Sequence, residues 1–269
     1  MKHDKSIGII GLGFVGNAIK TSLSGTQIEL VLIDPAKGFN ATYEDLVKCD
    51  GVFVCVPTPE LKDGSCDPSA LKEVLSKLKE VNYNGVIISK CTATPDIYQE
   101  LQDEFPNLVH SPEFLTAAHA LKDYTNGTFA IVGGAVTAYR NEAERIIRMS
   151  QLELKSVVHC SIKEASFAKY GINSFLATKV IFMNELAKLV SQSGADWSIV
   201  SRLMKLDNRI GNSHMQVPGS DGQFGFGGMC FPKDTKALLN YADNKNCDLD
   251  VLDTATKKNL ILRLTGSKK

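Results

Sequence analysis

The sequence predicts an α/β protein in which a Rossmann-like dinucleotide-binding domain is followed by a helical domain built on one long central helix. Three observations carry this reading. A glycine-rich turn, Gly11-Leu12-Gly13-Phe14-Val15-Gly16, stands between a short apolar run and a helical stretch. Short apolar strands alternate with helical stretches up to about residue 157, as in a doubly wound sheet. From residue 161 the alternation gives way to some thirty residues of helical period without a proline. The domains are placed at 1–160 and 161–269.

The first strand, residues 6–10, runs into the glycine turn. G-x-G-x-x-G in this strand-turn-helix setting has a mechanical reason for each glycine. Gly11 makes the tight turn, Gly13 lets the backbone meet a pyrophosphate, and Gly16 allows close packing of helix on strand; Phe14 and Val15 open the helix whose N-terminus faces the anion. The second strand, 29–33, ends in Asp34. A carboxylate there accepts from the ribose hydroxyls and repels a 2′-phosphate, which points to NAD rather than NADP.

Further strands are expected at 51–56, 85–89, 108–110 and 129–132. Three of them end in polar or proline-bearing loops: Val56-Pro57-Thr58-Pro59, Lys90-Cys91-Thr92 and Ser111-Pro112-Glu113-Phe114-Leu115. Ligands of open α/β sheets bind beyond the carboxyl ends of the strands, so these loops are candidate site walls. Each taken alone also reads as ordinary turn chemistry.

The long helix opens on a capping box, Ser161-Ile162-Lys163-Glu164, and extends to about residue 192, a rod of roughly 45 Å. Lys169 and Asn173 lie four apart and share a face among Phe167, Ala168, Tyr170 and Ile172, a setting in which the pair can hold an oxyanion or a water. The apolar arc of this helix is hard to cover within one small domain, so a homodimer packed along 176–189 is expected. A second helix opens near Trp197. A glycine-rich loop then delivers Cys230, just ahead of a helix expected from Pro232 to about Ala242, with Lys233 and Asp234 three and four residues after the thiol. An isolated cysteine is usually a small core residue. On this turn a helix N-terminus favours the thiolate, and Phe226 and Gly227 become candidate substrate contacts. The chain is expected to end soon afterwards in a frayed basic tail, Gly266-Ser267-Lys268-Lys269.

Composition narrows the function classes. Thirty basic residues balance thirty acidic ones, so no charge field points to nucleic acid or to a membrane surface, and no apolar run nears the length needed to cross a bilayer. The seven cysteines are odd in number and lack paired C-x-x-C spacing; with no apolar signal segment, this points to a reducing cytoplasm and against structural zinc or a disulfide framework, and no metal site is expected.

On these residues the sequence resembles the UDP-glucose/GDP-mannose dehydrogenase family, and within it the UDP-glucose 6-dehydrogenases. The resemblance runs from residue 7 to about 241 through GLGFVG, CVPTP with the following DGS, SPEFL, K-x-x-x-N-x-F-L-A-T-K, R-I-G and GFGGMCFPKD. It implies oxidation of the C6 alcohol of a nucleotide sugar to a carboxylate with two NAD, through a cysteine-bound thiohemiacetal and thioester. It further implies Cys230 as nucleophile, Lys169 and Asn173 as oxyanion groups, and Asp234 as the partner of Lys169 in activating water. Thr92 would hold a water and Glu113 would act as a base or water ligand. Gly11, Gly13, Phe14, Val15, Gly16, Asp34, Pro57 and Thr58 match cofactor positions, and Arg209 matches an arginine that reaches the substrate phosphate of a neighbouring subunit.

The chain departs from the family pattern at Thr116-Ala117-Ala118-His119, where an acidic residue and a glycine are usual, and at Cys91-Thr92-Ala93-Thr94-Pro95, where the proline is shifted by one. The family usually continues into a third, nucleotide-binding domain, so the resemblance implies a short form without it. Two other classes stay open. One is a β-hydroxyacid dehydrogenase of the 6-phosphogluconate or 3-hydroxyisobutyrate type, which makes one oxidation and needs no cysteine. The other is a non-catalytic NAD-binding partner subunit.

Overall fold

The computed structural model describes residues 5–116 and 119–265. The tail 266–269 and the Ala117-Ala118 departure lie outside the described residues. The chain forms two units, one of residues 5–59 with 66–169 and one of residues 60–65 with 170–265.

The first unit is a doubly wound sheet. Its strands are β1 (Lys5–Ile10), β2 (Ile28–Asp34), β3 (Phe39–Asn40), β4 (Gly51–Val54), β5 (Val86–Ser89), β6 (Leu108–His110), β7 (Phe129–Gly133) and β8 (Ser156–Cys160), in spatial order β3-β2-β1-β4-β5-β6-β7-β8. β1 pairs in parallel with both β2 and β4, so the order reverses at β1, and the cleft beyond its carboxyl end is where such sheets bind ligands. β3 and β7 run antiparallel to β2 and β6, while β8 runs parallel to β7.

The helices are α1 (Phe14–Leu23), α2 (Tyr43–Leu46), α3 (Ser69–Glu80), α4 (Pro95–Glu104), α5 (Ala120–Thr125) and α6 (Thr137–Ser150). One core cluster gathers Ile7, Ile9, Phe53, Ile88 and Val132 from the strands, Ile19 and Leu23 from α1, and Ile146 and Ile147 from α6. This is the near-continuous apolar character expected of strands covered on both faces.

α7 (Ile162–Gln192) starts on the expected capping box: Glu164 Oε2 accepts from the Ser161 N–H at 2.7 Å, and Ser161 Oγ accepts from the Glu164 N–H at 3.3 Å. Its first two turns belong to the first unit and the rest to the second. The second unit adds α8 (Trp197–Met204), capped by Asp196, then α9 (Cys230–Asp243) and α10 (Asp250–Thr265). Ala177 and Ile181 of α7, Phe226 and Ala255 of α10 form its core cluster.

Two expectations are corrected. Cys230 is the first residue of α9 rather than lying ahead of it, and a sixteen-residue helix, α10, occupies the stretch expected to end the chain. β3 and β8 are additions of the same kind. Among the described residues, no helix is long and apolar enough to cross a membrane, and no group of three or more His, Cys, Asp or Glu is placed to hold a metal ion.

Candidate active site

The turn from β1 into α1 is built for an anion. Gly11 adopts φ +84°, and a β-carbon there would stand 2.8 Å from the Cys55 carbonyl; a β-carbon on Gly16 would collide with the Gly11 carbonyl. Only glycine serves at either position. Gly13, the N-cap of α1, meets nothing within 4 Å on that side and lines a cleft of about 360 Å³ with Leu12, Phe14, Asn17, Lys37 and Phe39. No side chain caps α1, so its first N–H groups are left to a ligand. Asp34 Oδ2 accepts from the Leu12 N–H at 2.8 Å and Lys37 Nζ donates to the Leu12 carbonyl, which fixes the turn from both ends. Val15 packs its side chain on the core. Pro57 is exposed, while Thr58 is buried and donates its hydroxyl to the Thr92 carbonyl at 2.7 Å. These residues fit a dinucleotide with free ribose hydroxyls.

Beyond β5 and β6 lies a second constellation. Glu113 is buried, with Oε2 accepting from the Leu115 N–H at 2.6 Å and Oε1 from Lys169 Nζ at 3.0 Å. Lys169 also donates to the Glu113 carbonyl at 2.5 Å and lies 5.3 Å from the centre of the Phe114 ring. Its side chain is only 4% exposed, so the pair is a desolvated one. Half-buried Thr92 presents its carbonyl to Thr58 and to Cys66 Sγ at 3.3 Å. Lys90, which the sequence placed only as part of a loop, is buried beneath the same strands, and its burial lowers the amine to about 8. Burial likewise pushes the Cys55 thiol up.

In the second unit Cys230 is half-buried at the first position of α9, and the loop ahead of it is fixed by amides from two helices. The Gly225 N–H donates to Asn184 Oδ1 at 3.0 Å. Asn259 of α10 brackets Phe226, accepting from its N–H at 2.7 Å and donating to its carbonyl at 3.0 Å, and Arg263 Nε donates to that carbonyl at 2.9 Å. A β-carbon on Gly227 would displace the Arg263 guanidinium. The Phe226 side chain is a core residue here. One turn into α9, Asp234 is buried, its Oδ2 accepting from Asn173 Nδ2 at 2.6 Å and its Oδ1 from Lys233 Nζ at 2.6 Å.

Lys169 and Asn173 are thus each bonded to a different carboxylate. Arg209 is 90% exposed and pairs with its own loop neighbour Asp207 at 2.6 Å, and Lys179 fixes that loop by donating to the carbonyls of Ile210, Gly211 and Ser213 at 3.0, 3.3 and 2.6 Å. Asn184, Lys179, Asn259 and Arg263 were missed from sequence. Helical spacing puts Lys179 and Asn184 on α7, but only the fold shows which loops they hold.

Residues 36–151 match the NAD-binding domain of the UDP-glucose/GDP-mannose dehydrogenase family, and residues 163–260 match its central domain. The chain belongs to this family. As a UDP-glucose/GDP-mannose dehydrogenase family member it carries an NAD-binding domain, and the glycine turn, which precedes the matched stretch, stands on its own geometry. It is 29% identical to the UDP-glucose 6-dehydrogenase YwqF of Bacillus subtilis, over 94% of this chain and 66% of that protein. It is 31% identical to the UDP-glucose 6-dehydrogenase of Rickettsia bellii, over 80% of this chain and 50% of that protein. The chain therefore spans about half to two thirds of the length of these relatives.

Among solved structures, a UDP-glucose dehydrogenase from Pyrobaculum islandicum shares the fold with a TM-score of 0.79 at 23% identity, covering 96% of this chain and 68% of that one. A 3-hydroxyisobutyrate dehydrogenase from Mycobacterium tuberculosis shares it with a TM-score of 0.77 at 15% identity, covering 97% and 94%. At these identities the likeness is one of fold.

Proposed function

We propose that this family member oxidises the C6 alcohol of a nucleotide sugar, UDP-glucose foremost, to the carboxylate at the expense of two NAD. The observation that carries the reading is Cys230 at the first residue of α9, behind a loop clamped by Asn184, Asn259 and Arg263, with Asp234 and Asn173 bonded to each other one turn on. A β-hydroxyacid dehydrogenase, favoured by the nearly full-length likeness to the 3-hydroxyisobutyrate enzyme, has no use for a thiol so placed.

When bound, NAD accepts the hydride of each oxidation; the chain supplies the rest. In the first step a base takes the C6 hydroxyl proton and leaves an aldehyde. The Cys230 sulfur adds to that carbonyl, holding it as a thiohemiacetal, and loss of a second hydride from the adduct gives a thioester. Lys169 and Asn173 donate to the oxygen that becomes negative as each tetrahedral carbon forms. Glu113, with Asp234 and Thr92, takes up and orients the water that cleaves the thioester, releasing acid and thiol. The reaction belongs in a reducing cytoplasm, where the thiol persists.

The test is a count. Incubation with UDP-glucose, and with a panel of other nucleotide sugars, is expected to yield two NADH per acid with no free aldehyde accumulating. One NADH per turnover, with a ketone or aldehyde as product, would transfer the protein to the hydroxyacid class.

The functional unit we infer is a homodimer. α7 exposes Phe175, Phe182 and Leu189, spaced seven apart and so along one side of the helix. Arg209, exposed at the end of a loop fixed by Lys179, would leave Asp207 to grip the pyrophosphate of the neighbouring subunit's substrate through bidentate contacts. Arg209→Ala is expected to raise KM for the nucleotide sugar roughly tenfold or more while leaving KM for NAD unchanged, as loss of a charge-assisted bond implies. Mixed with Cys230→Ala subunits it should regain activity, since one site of the heterodimer keeps both residues. Failure to regain any, with subunit exchange verified, rules out the shared site.

A further inference from the structure

Lys90 has no part in the chemistry proposed for Glu113, yet it lies buried beside that base, and a role for it there rests on Glu113 acting in thioester hydrolysis. Lys90 directly succeeds β5 and is 6% exposed, a rare place for an amine. Its Nζ donates to Ser111 Oγ at 3.2 Å, two residues before Glu113. Lys90 and Glu113, itself 8% exposed, line one cavity of about 220 Å³. The exposed Asn126, Thr128 and Phe129 line it too, so the cavity leads from the buried amine and carboxylate to the surface.

The charges around Lys90 suit proton exchange. Burial dominates and lowers the ammonium to about 8, Cys55 and Glu113 act to raise it, and Lys169 acts with burial. Asp123, which also lines the cavity, is engaged by the N–H and hydroxyl of Thr116.

Glu113 has a problem that Lys90 can solve. Its two oxygens accept from Lys169 and from the Leu115 N–H. Once it has taken a proton from the hydrolytic water it must shed that proton before the next turnover. Lys169, as the ammonium of the ion pair, has no lone pair to offer.

We propose that Lys90 is the proton partner of Glu113, accepting as a neutral amine the proton that Glu113 removes from water and releasing it along the cavity to solvent. In this step the carboxyl O–H bond breaks and its electron pair stays with the carboxylate. Lys90 is bonded to Ser111, and Glu113 to Lys169 and Leu115, so water in the cavity that both line carries the proton. It takes the carboxyl proton and gives one to the Lys90 lone pair, which forms the new N–H bond, and the ammonium then yields a proton to solvent water. Nothing is oxidised or reduced. Lys90 serves Glu113 and touches neither sugar nor cofactor.

The test compares the parent with Lys90→Arg and Lys90→Met. With UDP-glucose as probe, the parental rate is expected to climb with pH through about 8, where Lys90 becomes neutral. Both variants should lose the climb and fall roughly tenfold or more below the parent near about pH 9, because arginine keeps the charge but not the titration. A charge-only or structural role would be rescued by arginine, and a parental profile in Lys90→Arg overturns the proposal. A second readout needs no turnover. In protein carrying ¹⁵N-labelled lysine, the signal lost in Lys90→Arg should titrate near 8, and Glu113→Gln should lower its midpoint by removing the charge that raises it. An unmoved midpoint overturns the coupling whatever the activity. A parent that oxidises no nucleotide sugar overturns the functional reading and this proposal with it, whereas an active parent matched by Lys90→Arg overturns this proposal alone.

Discussion

Cys230→Ser is expected to abolish acid formation, lowering turnover roughly a thousandfold or more, the order by which losing a nucleophile slows catalysis, while NAD still binds. The reasoning is one of chemistry at a fixed position. Serine keeps the volume and stays at the first residue of α9, so the loop held by Asn184, Asn259 and Arg263 has no cause to move. What changes is the atom. A thiol yields a nucleophilic anion near neutral pH and a good leaving group from the thioester, and a hydroxyl yields neither. In the proposed site NAD is held by the turn at Gly11 to Gly16 and by Asp34, all in the first unit, whereas Cys230 belongs to the second. Fluorescence titration with NAD should therefore match the parent. Intact-mass measurement of the parent stalled with UDP-glucose should show a covalent adduct that Cys230→Ser lacks. A serine variant that forms acid at the parental rate would make the thiol structural and end the covalent scheme.

How much of the fold and site is legible in the sequence depends on where the information sits. The turn at Gly11 to Gly16 and the strand ending in Asp34 are local: the constraints act between near neighbours in the chain, and the strand, the tight turn at Gly11 and the helix stand where the sequence puts them. α7 is similar, since a capping box and an unbroken helical period span it. α10 was hidden for the opposite reason. Its inward positions Leu252, Ala255 and Asn259 include an asparagine where the period asks for an apolar residue, while Leu260, Ile261 and Leu264 point to solvent. The residue that spoils the pattern is the one that clamps Phe226. β3 has two residues and β8 is only half covered, so neither shows the apolar run of a central strand. Lys169 and Asn173 were legible as one face of a helix. Their partners Glu113 and Asp234 lie 56 and 61 residues away, and only the fold assigns one to each.

That assignment decides what removing Lys169 should do. Lys169→Met is expected to lower turnover roughly 100- to 1,000-fold, the usual effect of deleting one donor to a developing oxyanion. It should also cost about 3–5 kcal/mol of stability at neutral pH, because it leaves the Glu113 carboxylate buried without its ammonium. The two losses have different causes and can be separated. Adding Glu113→Gln removes the stranded charge and should restore most of the urea midpoint, since an amide still accepts from the Leu115 N–H. Turnover should stay low in the double variant, which lacks both the oxyanion donor and the hydrolytic base. Recovery of stability without activity is the signature of an ion pair whose cation serves the chemistry. If the double variant regained turnover along with its midpoint, Lys169 would be no more than the counter-charge of Glu113, and oxyanion stabilisation would have to come from elsewhere.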